Sequence, residues 1–69
     1  LTEAHYALGD FYYRKYRQYR KQEDPQTDEV KKKALQHLGK FIEQKKSAQS
    51  KYYIWKVKKA RKKVKKLQS

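Results

Sequence analysis

The 69-residue sequence has no cysteine, one proline and two glycines. Without cysteine it can form neither a disulfide nor a cysteine-ligated metal site. No apolar run approaches the ~18 residues that a membrane-spanning helix needs. A chain this short buries only a marginal core. We therefore expect residues 1–69 to form a single intracellular segment without a membrane span, whose core is completed by neighbouring helices of a larger chain or complex.

Acidic residues are also scarce, with seven of them against 20 basic residues. The resulting net charge of +13 is unevenly distributed: −1 over residues 1–30, +5 over residues 31–50 and +9 over residues 51–69. Such a charge distribution favours binding to polyanions, namely nucleic acid, acidic protein surfaces or anionic lipid. The alternative is that the lysines only keep a helix surface solvated.

Apolar residues recur every three or four positions in three stretches, which predicts an all-α fold. We expect helices at about residues 2–22, 28–46 and 50–68. Pro25 separates the first two, because proline lacks a backbone donor and restricts the residue before it. The connector at residues 47–50 is short, which favours antiparallel packing of neighbouring helices.

The same spacing predicts which face of each helix is packed. In the first helix the face is Leu1, Ala4, Leu8, Phe11, Tyr12, Tyr16 and Tyr19. In the second it is Val30, Ala34, Leu35, Leu38, Phe41 and Ile42. In the third it is Tyr53, Val57, Ala60, Val64 and Leu67, widened by Ile54 and Trp55. Tyr13 and Tyr52 are expected to be exposed, and Gly9 is expected where a neighbouring helix approaches closely.

No catalytic, cofactor-binding or metal-binding constellation is found, and no small-molecule substrate is indicated. His5 and His37 are far apart in sequence and lack a carboxylate or cysteine at metal-ligand spacing. The candidate polyanion-binding residues are lysines of the third helix: Lys58, Lys59, Lys62, Lys63, Lys65 and Lys66. If they contact phosphates, binding should be non-specific and strongly salt-dependent. Aromatic rings interleaved with cations, as in residues 12–20 and 51–56, could also stack on unpaired bases.

The chain resembles a segment of the FAT domain of the ataxia-telangiectasia-mutated (ATM) family of large DNA-damage kinases. The stretches that carry the likeness are residues 4–16 with Ala4, Leu8, Phe11 and Tyr16, residues 32–45, and residues 51–57. The resemblance implies a TPR-like helical hairpin within an α-solenoid, which acts as a nuclear scaffold by protein–protein packing. It also implies that the kinase domain lies outside these residues, so no catalytic position is carried over.

A second likeness is to TPR proteins such as the BamD lipoprotein of bacterial outer-membrane assembly. It rests on Leu8 to Tyr13, Lys33-Ala34-Leu35 and Ser50-Lys51-Tyr52. This likeness implies a TPR-type envelope-assembly protein. Three interpretations therefore stay open: a kinase-associated scaffold segment, a basic helical module that binds nucleic acid non-specifically, and an envelope-assembly protein.

Overall fold

The computed structural model describes residues 2–68, which form three helices. These are α1 (Thr2–Lys21), α2 (Thr27–Lys45) and α3 (Lys51–Gln68). The all-α prediction is confirmed, and each predicted boundary lies within one residue of the observed one. No strand occurs in the part of the chain that the structure describes. Stacking of this unit into a solenoid stays a prediction.

Contacts between side chains give the directions of the helices. Tyr6 packs on Phe41, whereas Lys33 lies over the ring of Tyr12, so α1 and α2 are antiparallel. Between α1 and α3, a residue later in α1 contacts a residue later in α3: Glu3 pairs with Tyr53, and Asp10 pairs with Lys63. Helices α1 and α3 therefore run in the same direction. Both pack on α2, and they contact each other far less than either contacts α2.

The chain leaves α1 through a left-handed residue that is not glycine. Glu23 has φ 54°, its N–H donates to the Arg20 carbonyl at 3.2 Å, and the Asp24 N–H donates to the Tyr19 carbonyl at 3.0 Å. This pair of bonds is the Schellman arrangement that commonly ends a helix, and glycine is the residue that usually occupies its left-handed position. The turn therefore satisfies helix-end carbonyls with a residue whose side chain disfavours this conformation.

Residues 24–27 form a hydrogen-bonded turn that leads into α2. The Gln26 N–H donates to Asp24 Oδ1 at 2.8 Å, and Thr27 Oγ1 donates to the Asp24 carbonyl at 2.6 Å. Asp28 and Glu29 then lie in the first turn of the helix, where the helix dipole favours negative charge.

Helix α2 is the centre of the core. The buried residues are Tyr13, Tyr16, Val30, Ala34, Leu38, Phe41, Val57, Ala60 and Leu67. Four of these nine belong to α2, and Ala34, Leu38 and Phe41 are completely inaccessible to solvent. The predicted faces of α2 and α3 are confirmed, because every residue of the α2 face and of the Tyr53-to-Leu67 stripe is buried or half-buried.

Gly9 lies where α1 crosses α2, as predicted. A Cβ atom added at Gly9 would lie 2.6 Å from Leu38 Cδ2 and 3.2 Å from the Leu38 backbone nitrogen. Real carbon contacts are about 3.5–4.0 Å. Glycine therefore allows the two helices to approach more closely than any side chain would permit.

The predicted packed face of α1 is wrong in its N-terminal half. Ala4, Leu8 and Phe11 are exposed, with 51% of Phe11 accessible. Because Gly9 faces α2, and successive helix residues turn by about 100°, Phe11 points away from the crossing. Leu1, which was predicted on the same face, lies outside the described residues.

Two predictions about individual rings are also wrong. Tyr13 was expected to be exposed but is buried, since it follows Gly9 by four residues and lies on the same face of α1. Trp55 and Ile54 were expected to widen the packed stripe of α3 but are exposed, with 53% of Trp55 accessible. Exposure of Tyr52 is confirmed. Among the described residues, no helix is long and apolar enough to cross a membrane.

Candidate nucleic-acid interface

A groove runs between the C-terminal halves of α1 and α3, and we call it the α1/α3 groove. It is lined by Tyr13, Tyr16, Arg17, Arg20, Lys21, Lys59, Lys62, Lys63 and Lys66. Every charged residue that the structure places along it is a cation. The groove exists because α1 and α3 both pack on α2 and remain apart from each other.

The groove consists of two adjoining hollows with volumes of about 530 and 300 Å³. They share Tyr13, Arg17 and Lys66, so they form one continuous surface. Tyr13 and Tyr16 are more than nine-tenths buried and form its floor. From Lys59 to Lys66 the α3 wall is about 10 Å long at 1.5 Å per residue.

An acidic residue, Asp10, lies at the end of the α1/α3 groove that is nearer the start of α1. Asp10 Oδ1 accepts an ion pair from Lys63 Nζ at 3.0 Å, and Asp10 Oδ2 accepts one from Arg14 Nη2 at 3.0 Å. Lys63 is only 20% accessible and its ammonium also lies 5.9 Å from the Tyr13 ring centroid. Lys63 is therefore committed to holding α3 against α1, whereas the groove residues Arg17 and Lys62 are exposed.

The structure divides the six lysines predicted as polyanion-binding. Lys59, Lys62, Lys63 and Lys66 line the α1/α3 groove. Lys58 lines a separate cleft together with Arg61 and residues near the end of α2. Lys65 is exposed and is not among the residues of either surface. The sequence therefore identified one wall of the groove, together with two lysines that lie elsewhere.

The opposite wall was not predicted. Arg17, Arg20 and Lys21 extend from α1 into the same groove as the lysines of α3. In the sequence these residues lie within residues 1–30, whose net charge is −1, and more than 35 positions before Lys59. Their three- and four-residue spacing was the available signal, but it gains meaning only once α1 and α3 are known to lie side by side in parallel.

Cations and aromatic rings alternate at the N-terminal end of α3. Lys56 Nζ lies 4.6 Å from the Tyr6 ring centroid and 4.7 Å from that of Tyr52. A hydrogen bond with Tyr52 raises the pKa of Lys56 above its usual value, which keeps the ammonium charged. One turn along, Lys59 Nζ lies 4.1 Å from the Trp55 ring centroid. Cation–π attraction thus fixes both lysines beside rings.

The two histidines, far apart in sequence, are neighbours in the structure. His5 Nδ1 and His37 Nδ1 lie 3.1 Å apart across the α1–α2 contact, and Tyr12 stacks on His37 with an interplanar angle of 11°. One ring must donate and the other accept, so the contact requires a neutral imidazole. Burial, followed by the charges of His5 and Lys40, lowers the pKa of His37. Within residues 2–68, no group of three or more potential ligands is arranged to hold a metal ion.

Comparisons of the chain with known protein families, with curated proteins and with solved structures give no match. The resemblance to the FAT domain and the likeness to TPR proteins such as BamD therefore stay predictions.

Proposed function

We propose that the chain binds nucleic acid without sequence specificity, through phosphates held in the α1/α3 groove. The observation that carries this proposal is the convergence of cations from two separate helices on one concave surface. Seven arginine and lysine residues line the groove, and no acidic residue of the described chain is among its lining residues. Phosphate backbones are the polyanions whose spaced charges match such a row of cations.

The alternative of a merely solvated lysine face explains the groove less well. In the groove, like charges from α1 and α3 face each other, and this repulsion disfavours the packing of the two helices. A bound polyanion would remove that repulsion.

The chemistry of the groove also indicates which part of the nucleic acid is contacted. Lysine and arginine side chains supply most contacts to phosphates, and such contacts carry no sequence information. Binding through phosphates alone would be non-specific and would weaken steeply as salt is added.

The test compares two charge-matched variants of the whole chain. Arg17→Gln/Lys62→Gln removes one exposed cation from each wall of the groove, whereas Lys58→Gln/Arg61→Gln removes two cations from the separate cleft. Binding to a labelled duplex is followed by fluorescence anisotropy between about 50 and 200 mM salt. The groove variant should bind more weakly, with a log–log salt slope smaller by about 1.8, because each phosphate contributes about 0.9.

The control variant should keep the wild-type slope, and both variants should keep wild-type helicity by circular dichroism. Equal losses in the two variants would mean that net charge alone attracts the nucleic acid and that the groove is not the site. Absence of binding by the wild-type chain at the lowest salt would refute the proposal.

A second candidate function is that of a scaffold segment in a larger helical protein of the FAT-domain type. The observation that favours it is the exposure of Leu8 and Phe11 on α1, two large apolar side chains outside the core. Neighbouring helices of a solenoid would bury them. In that case the free 69-residue chain should unfold with weak cooperativity, and a sharp calorimetric transition with equal calorimetric and van't Hoff enthalpies would count against it.

A further inference from the structure

The indole of Trp55 is the largest apolar group that the fold leaves exposed. Just over half of it is accessible to solvent. The indole has a cation–π contact with Lys59, whose Nζ lies 4.1 Å from the ring centroid. The core of α3 is formed by Val57, Ala60 and Leu67, on another side of the helix. Trp55 therefore contributes little to packing, and its exposure is not explained by the fold.

Trp55 lies on the same side of α3 as the lysines that line the α1/α3 groove. Residues 55, 59, 62 and 66 are spaced four, three and four apart, so they form one row along α3. The last three of these residues line the groove. Trp55 lies about 6 Å before Lys59 along the helix axis, at 1.5 Å per residue. The indole is thus the next side chain that a strand would meet as it leaves the row of lysines.

We propose that Trp55 stacks on an unpaired base while Lys59 and Lys62 contact the adjoining phosphates, so that the groove prefers single-stranded to double-stranded nucleic acid. This inference rests on the proposed nucleic-acid binding. Stacking of bases on aromatic side chains beside a basic groove is the general mode by which proteins hold single strands without sequence specificity. In a duplex the base faces are covered by neighbouring bases, and exposing one requires unstacking.

The geometry of the Lys59 contact supports the same assignment. With the Lys59 ammonium over one face of the indole, a base would stack on the opposite face, and the ammonium would lie beside the phosphate of that base. The cation–π contact also restricts the rotation of the indole. The ring is therefore held in place before a ligand arrives, which reduces the entropy that binding must overcome.

The chain offers a direct reporter, because Trp55 is its only tryptophan. Three probes are titrated at low salt: oligothymidylate, a duplex of the same length, and inorganic polyphosphate, which has no bases. Oligothymidylate should strongly quench the tryptophan fluorescence, whereas polyphosphate should bind with little quenching. Equal quenching by polyphosphate would overturn the inference, because it would mean that charge alone perturbs the ring.

Affinities of three variants separate stacking from folding. Trp55→Ala should weaken binding to labelled oligothymidylate by about 5- to 150-fold, the range expected for loss of one stacked base. It should leave duplex binding within about twofold of wild type. Trp55→Phe should restore much of the single-strand affinity, and the control Ile54→Ala, which removes the adjacent exposed apolar side chain, should change neither affinity.

The outcomes distinguish this inference from the function on which it rests. If wild type binds both nucleic acids and Trp55→Ala weakens both equally, or weakens neither, stacking is refuted and phosphate binding in the groove stands. If wild type binds neither nucleic acid, both proposals are refuted together. Circular dichroism at 222 nm, unchanged in all three variants, verifies that the differences arise at the surface.

Discussion

Replacing Gly9 by alanine should destabilise the helical hairpin, although alanine is the better helix former. Intrinsic helix propensity alone would stabilise the variant by about 1 kcal/mol. The added Cβ would lie 2.6 Å from Leu38 Cδ2, 2.7 Å from Leu38 Cγ and 3.2 Å from the Leu38 backbone nitrogen. The first two distances are about 1 Å shorter than ordinary carbon contacts, and Leu38 is completely buried. The clash therefore has no solvent-exposed direction in which to relax.

The balance between the steric clash and the gain in helix propensity decides whether Gly9→Ala raises or lowers the free energy of unfolding. Overpacking of a core costs about 1–3 kcal/mol. The upper part of that range applies here, because the obstacle includes the Leu38 branch point and backbone rather than only a flexible tip. After the gain in propensity, we expect Gly9→Ala to lower the free energy of unfolding by about 1–2 kcal/mol.

Gly39 provides the matched control on the facing helix. It is exposed, and a Cβ added there would meet no atom within 4 Å. Gly39→Ala should therefore raise the free energy of unfolding by about 1 kcal/mol. Urea and thermal denaturation, followed by circular dichroism at 222 nm, would measure both variants. Each kcal/mol corresponds to about 4–8 °C in the melting temperature of a domain of this size.

A double-mutant cycle locates the cause. In a Leu38→Ala background the leucine side chain is absent, so Gly9→Ala should cost less there than in the wild type. A coupling between the two sites is expected because they are in contact. If Gly9→Ala instead stabilises the wild-type chain as much as Gly39→Ala does, the close approach of α1 and α2 at Gly9 is refuted.

Two further predictions concern the turn after α1 and the histidine pair. Glu23 has φ 54°, so Glu23→Gly should raise the free energy of unfolding by about 1 kcal/mol and Glu23→Ala should not, measured by urea denaturation. The pKa of His37 is lowered from 6.5 in the folded chain, so below pH 6.5 the unfolded chain binds more protons than the folded one. Stability should therefore decrease as the pH falls below 6.5, and denaturation of His37→Gln between pH 7 and 5 should show a shallower decrease. An unchanged pH profile in that variant would contradict the assignment.

The helices were predictable because their signal is local. The Val30-to-Ile42 and Val57-to-Leu67 patterns repeat with the period of an α-helix, and their spaced side chains are unambiguously apolar. In α1 the packed face depends instead on tyrosines, which serve equally well in a core or at its rim. The contact of Gly9 with Leu38 decides the rotation of α1. That contact depends on the absence of a side chain, which a hydrophobic pattern does not register.

The candidate site was predictable only on one of its walls. The lysines of α3 form a dense run, so that helix was selected from its charge as the candidate polyanion-binding element. Lys59 lines the groove and Lys58 does not, and this difference depends on which side of α3 faces α1. Arg17 lines the groove because α1 and α3 lie side by side in parallel. The contact between His5 and His37 likewise joins residues 32 positions apart. Such long-range relations arise from packing on α2 and leave no local trace in the sequence.

The architecture connects stability to the proposed function. Helix α3 is held to α2 by a narrow apolar stripe, and it meets α1 mainly through polar side-chain contacts such as Lys63 with Asp10 and Tyr53 with Glu3. The remaining groove cations oppose that approach through mutual repulsion. A polyanion in the groove would neutralise both walls simultaneously and, by binding only the folded chain, would stabilise it. If the proposed binding holds, the same charges that weaken the contact between α1 and α3 would make that contact responsive to a phosphate backbone.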